Sequence, residues 1–168
     1  GADVFMQNFR PGVVERLGID EPSLREVRGD LVYVSISAFG SEGPYAHKPA
    51  YDHILQGIAG IAAVQRDRRT GRPRNVRHTI CDKATGLTTA QGITAALLAR
   101  ERGQGGQHLR VNMLDTSIAF LWPDAGANAT ILEEDVFLAP TLAASYRVED
   151  ATDGYYCVAA LTDAQAHG

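Results

Sequence analysis

Leu31-Val32-Tyr33-Val34-Ser35-Ile36 is a short apolar run rich in β-branched and aromatic residues, set between Gly29-Asp30 and the turn residues that begin near Gly40. Its apolar positions follow one another instead of alternating, the pattern of a central strand covered on both faces, as in a parallel sheet. Working outward, residues 3–7 read as a second strand. A helix is expected over 11–17, with Pro11 at a permitted first-turn position, and another over 22–28, stopped by Gly29. Strand, helices and strand in this order give the end of a doubly wound sheet. The loop over 40–49, punctuated by Gly40, Gly43, Pro44 and Pro49, then falls at the carboxyl end of the central strand, where open α/β sheets place ligands. Beyond it we expect a helix over 51–64, a polar excursion over 65–78, a long helix from residue 82 and a segment over 107–121. The fold class is α/β: the C-terminal part of a doubly wound parallel-sheet domain with helices, plus the start of a small α+β domain. Residues 1–122 belong to the large domain, 123–144 to an irregular crossing linker and 145–168 to the small domain.

Composition narrows the function classes. The chain has 168 residues, 45% hydrophobic and 21% charged, with a formal charge of −4. That balance is ordinary for a globular protein and argues against nucleic acid as a partner, because phosphate binding calls for a basic face. The longest apolar run, 57–64, is too short to span a bilayer, and no membrane partner is expected. Cys81 and Cys157 lie far apart without metal-ligand spacing, so no metal is expected and a reduced, cytoplasmic protein is the default.

The stretch Cys81-Asp82-Lys83-Ala84-Thr85-Gly86 opens the long helix, whose small and apolar residues continue through Leu97-Leu98 to Arg100-Glu101-Arg102 and Gly103. Asp82 stands at the helix entrance, where backbone N–H groups can hold a carboxylate and turn it toward a ligand. Asp is also one of the preferred N-cap residues, and many helices begin with one for structural reasons alone. Both readings stay open on local sequence.

A resemblance weighs between them. Asp82, Gly86, Gly92-Ile93, Ala95-Ala96-Leu97, Arg100-Glu101-Arg102, Gly106-Gln107 and Val111-Asn112-Met113-Leu114-Asp115 resemble, in order, the core signature of the family III CoA-transferases (the CaiB/BaiF type), a family that includes acyl-CoA racemases. Asn8-Phe9-Arg10-Pro11-Gly12 with Glu15-Arg16-Leu17-Gly18 is similar to a second block of that family, and Ser37-Ala38-Phe39-Gly40 through Pro44-Tyr45 and Pro49-Ala50-Tyr51-Asp52 to a third. The resemblance implies a Rossmann-like large domain. It also implies a longer protein, of which this chain is one part, and residues 3–6 and 154–161 read as strands lacking neighbours at the two ends.

In the family the residue matching Asp82 attacks an acyl-CoA thioester and carries the acyl group as a mixed anhydride. The positions matching Asn8, Phe9, Arg10 and Arg16 contact the nucleotide portion of coenzyme A, and those matching Lys48, Ala50 and Tyr51 line the path of the thioester and pantetheine. The resemblance thus implies acyl-CoA and a carboxylic acid as substrates, no metal, and an interlocked homodimer. Two alternatives are kept: an α-methylacyl-CoA racemase, and a non-catalytic CoA-binding or dimerisation piece. The racemase base is a His where this chain has Tyr51, and a phenol with a reference pKa of about 10 is a poor base at neutral pH. His53 is expected on another face than Tyr51, and His47, His78, His108 and His167 are read as surface residues. Arg66, Arg68, Arg69, Arg72, Arg74 and Arg77 surround Thr70-Gly71 and Pro73 and are read as a solvated turn.

Overall fold

The computed structural model describes residues 1–158 and divides into two compact units, residues 1–120 and the chain from Leu121 onward. In the first unit β1 (Val4–Gln7), β2 (Val32–Ser37) and β3 (His108–Asn112) form a parallel sheet in the order β1-β2-β3. The central strand is the one read first in the sequence. Between β1 and β2 run α1 (Val13–Leu17) and α2 (Glu21–Val27); α3 (Asp52–Ile58), α4 (Ile61–Val64) and α5 (Ile80–Ala99) lie between β2 and β3, and α6 (Met113–Leu121) follows β3. In the second unit β4 (Arg147–Asp150) and β5 (Tyr155–Val158) make an antiparallel hairpin. Its turn closes through the Ala151 N–H, which donates to the Gly154 carbonyl at 2.9 Å. The last part of the strand expected over 154–161 lies outside the described residues.

Both faces of β2 are covered, as its continuous apolar run requires. Val32 and Val34 are fully buried and pack with Ala96 of α5, alongside Ile93, Leu97 and Leu109. Complete burial of each valine contributes on the order of 1.5–3 kcal/mol. On the opposite face Tyr33 is 1% exposed, and its hydroxyl donates to the Ile19 carbonyl at 2.9 Å, fastening the turn after α1 to the sheet.

The single helix expected over 51–64 is two helices. Gly60 adopts φ 90°, a left-handed conformation that interrupts the backbone ladder and starts α4 in a new direction. The start of α2 follows the sequence more closely: the Asp20 carboxylate accepts from the Ser23 N–H at 3.0 Å, a side-chain N-cap.

α5 runs antiparallel to the strands. Its C-terminal Arg100 reaches the Asp3 carboxylate, beside the start of β1, at 3.1 Å, while a Cβ placed on Gly92 would stand 3.4 Å from Leu109 of β3. From Gly92 back to Asp82 the helix rises about 15 Å. From Leu109 to the end of β3 the sheet extends only about 10 Å. The first turn of α5 therefore lies on the side of the sheet where the strands end.

Candidate active site

Asp82 is the third residue of α5, not its N-cap; Thr79 precedes the helix and makes no side-chain cap. The cap comes from another helix. Asp52, the first residue of α3, is 8% exposed, and its Oδ2 accepts the backbone N–H of Asp82 at 3.0 Å. Gln56, one turn along α3 and 1% exposed, donates from Nε2 to Asp52 Oδ1 at 2.6 Å and to the carbonyls of His78 and Val76 at 3.1 and 3.3 Å. Its Oε1 accepts the Val76 N–H at 2.8 Å, so one buried amide ties the 65–78 excursion to α3, next to the start of α5.

The Asp82 carboxylate is exposed and accepts no hydrogen bond among the described residues. Partial desolvation, and then the nearby Asp52 charge, raise its pKa above the ordinary aspartate value. Cys81 beside it is fully buried, hydrogen-bonded to Ser117 of α6, and its thiol pKa is pushed up by burial. A buried thiol with a raised pKa stays protonated and is a weak nucleophile, whereas the Asp82 carboxylate beside it is exposed.

Lys48, Ala50 and Tyr51 lie in the segment that leads into α3. The Lys48 N–H donates to the Tyr45 carbonyl at 2.9 Å, and its ammonium lies 4.2 Å from the centre of the Tyr45 ring. That ring meets Phe39 edge-on at 5.4 Å. Ala50 is half-buried, and Tyr51, 67% exposed, precedes α3 in an extended conformation. Because Asp52 touches the backbone of Asp82, Tyr51 stands one residue from that contact. His53 departs from expectation: its ring is stacked on Tyr51, with centres 6.2 Å apart and planes 3° apart. Tyr51 lies outside the helix, so helical spacing does not separate the two side chains.

Asn8, Phe9 and Arg10 follow β1 at the carboxyl edge of the sheet. Phe9 and Arg10 line a cleft of about 530 Å³ between α1, α2 and the sheet; all three residues are exposed, as is Arg16 on α1. The floor of the cleft is a polar ladder across three strands, in which Gln7 Nε2 donates to Ser35 Oγ at 3.1 Å and Ser35 Oγ bonds His108 Nε2 at 3.0 Å. His108 is half-buried on β3, contrary to its reading as a surface residue, and burial lowers its pKa. The expected residues thus form two groups, the cleft set with Phe9 and Arg10 and the set at the starts of α3 and α5 with Tyr51 and Asp82. Among the described residues no hydrogen bond or ion pair joins the two groups.

The arginines over 66–77 are exposed around a turn in which Asp67 accepts from Thr70 and pairs with Arg74 at 2.6 Å. No group of three His, Cys, Asp or Glu side chains could hold a metal among the described residues, and no helix there is long and apolar enough to cross a membrane. No role was expected for Asp52, Gln56 or Ser35 from the sequence, and His108 was expected at the surface. The spacing of Asp52 and Gln56, four apart on one helix face, was the available signal for the first pair.

The profile of CoA-transferase family III matches residues 1–168. The chain is 41% identical over 147 residues to the acetyl-CoA:oxalate CoA-transferase of Acetobacter aceti, covering 83% of this chain and 38% of that protein. It is 36% identical over 120 residues to the succinate–glutarate CoA-transferase of Agrobacterium fabrum, covering 71% of this chain and 30% of that protein. Among solved structures, a CaiB/BaiF family protein from Brucella suis superposes with a TM-score of 0.79 at 30% identity, over 94% of this chain and 42% of that one. The chain therefore spans less than half the length of each of these proteins.

Proposed function

The chain belongs to CoA-transferase family III, and from that premise we propose that its protein moves CoA between an acyl-CoA and a free carboxylic acid through a mixed anhydride on Asp82. The observation that carries this reading is the setting of Asp82: an exposed carboxylate that accepts no hydrogen bond among the described residues, on a helix turn whose backbone is held by Asp52.

An oxygen of Asp82 attacks the thioester carbonyl carbon, the C–S bond breaks, and CoA leaves as a thiolate. The acyl group remains activated as an anhydride, whereas a stable ester would trap it. An acceptor carboxylate exchanges for the first acid at the anhydride. The thiolate then attacks the new acyl carbonyl, forming the product thioester and returning Asp82 as a carboxylate. Each bond broken is replaced, and neither water nor an oxidant is consumed. The field at the start of α5 contributes only about 0.3–2 kcal/mol. Fixing nucleophile and thioester in contact contributes about 7–11 kcal/mol, so positioning dominates.

In this reading Asn8, Phe9, Arg10 and Arg16 hold the nucleotide end of CoA. The two guanidiniums supply paired charge-assisted hydrogen bonds to phosphate, and Phe9, 50% exposed, supplies an apolar face. Lys48, Ala50 and Tyr51 line the path toward Asp82. The acids named for the two relatives, oxalate, succinate and glutarate, are dicarboxylates; small dicarboxylates are the acceptors to test first. Asp82→Ala in the full-length protein is expected to lower transfer by about a thousandfold or more, with CoA affinity retained in equilibrium binding. Unchanged turnover would overturn the assignment.

A further inference from the structure

We infer that Asp52 is a positioning residue for Asp82, setting both the place and the charge environment of its carboxylate through the cap on the Asp82 backbone. This rests on the reading of Asp82 as the nucleophile.

Three observations support it. The first turn of α5 has no side-chain cap of its own, because Thr79 supplies none. Asp52 replaces that cap from α3 and bonds the nucleophile's own N–H, at 3.0 Å, while its other oxygen is fixed by Gln56 at 2.6 Å. Asp52 and Gln56 are 8% and 1% exposed, and Gln56 also bonds the backbone at Val76 and His78. A carboxylate so fully bonded and buried is held in one rotamer. It transmits the position of α3, and with it of Tyr51, directly to the nucleophile.

A device that served the fold alone would do as well with any neutral acceptor, since Asn caps as well as Asp. The charge distinguishes the two roles. The groups around Asp82 are Asp52 on α3, Cys81 and Lys83 beside it on α5, and on α6 the uncharged Ser117 hydroxyl that bonds Cys81. Of these, Asp52 is the negative charge acting on Asp82, and it opposes ionisation. A carboxylate with a raised pKa is more basic and binds an acyl carbon more strongly once ionised.

The test is Asp52→Asn in the full-length protein, with two readouts. The titration midpoint of the Asp82 side chain, followed by the carbon shift of its carboxyl group in NMR, is expected to fall, since the opposing charge is gone; the amide oxygen can keep the cap on Asp82, but the amide NH2 then faces Gln56 Nε2 and the bond that fixed the side chain is lost. The rate of acyl-enzyme formation from acetyl-CoA is expected to drop about tenfold to a hundredfold as alignment loosens, its acid limb moving down in pH and KM for the acyl-CoA unchanged. Should Asp52→Asn fail to fold, adding Thr79→Asn supplies a neutral cap from the helix's own start and allows the same titration. A midpoint that does not move in a folded variant overturns the inference, whatever the nucleophile proves to be. Failure of the nucleophile reading is separate: it appears as wild-type protein that never carries an acyl group on Asp82.

Discussion

At Gly106 a side chain would meet main chain. A Cβ there would run into the Leu31 carbonyl oxygen and stand 2.6 Å from the Asp30 carbonyl carbon, so only glycine lets the segment before β3 approach the entry to β2. Backbone cannot rotate away as a side-chain tip can. Gly106→Ala is expected to destabilise the fold by about 1–3 kcal/mol, the usual cost of overpacking, seen as a lower urea midpoint. An unchanged midpoint would mean that the strand entry shifts freely. Gly106 was legible as part of a family signature, but the reason for it was not, since its contact is with residues some 75 positions earlier in the chain. The same limit hid Ser35 and His108: each is unremarkable in its own strand, and only the pairing of Tyr33 with His108 in the parallel register brings their side chains together. Asp82 was singled out because its neighbours in sequence carry the signature, whereas its cap lies thirty residues away on another helix and left no mark there.

Among the elements, β2, the strand β5 within the stretch read over 154–161, and the long helix α5 were legible because each is defined by local composition. The break at Gly60 was not, because the apolar pattern continues on both sides and left-handed geometry leaves no mark in it. At the amino end of the sheet the elements are tied by charge. Arg28 and Arg100 both pair with Asp3, at 2.8 and 3.1 Å, and Arg28 also pairs with Asp30 at 2.8 Å. The bond from Arg100 and then that from Arg28 hold the Asp3 carboxyl below its ordinary pKa, and Arg28 does the same for Asp30. A depressed folded-state pKa contributes stability above the unfolded value of about 3.9, and this is lost as pH falls through the folded value. Acid unfolding is therefore expected to steepen below about pH 4, with Arg100→Met flattening the dependence of the urea midpoint on pH. An equal slope in wild type and variant would remove the cluster from the account. Both aspartates are solvent-exposed, so the effect is modest and screened by salt.

For the molecule as a whole, the parallel topology accounts for the placement of the chemistry. Three parallel strands end together, the loops after β1 and β2 leave from that edge, and α5 returns antiparallel so that its first turn arrives there as well. A net charge of −4 does not count against the proposed anionic ligand, because such a ligand would meet the local guanidinium of Arg10 in the cleft and not the protein's mean charge. The central claim is covalent: the acyl group passes through Asp82. Incubation of the full-length protein with acetyl-CoA and succinyl-CoA, a hydroxylamine quench, and peptide mass spectrometry test it most directly. The account predicts a hydroxamate on the peptide containing Asp82, absent from Asp82→Ala. Transfer that proceeds with no hydroxamate on that peptide, or with one on another residue, would contradict it.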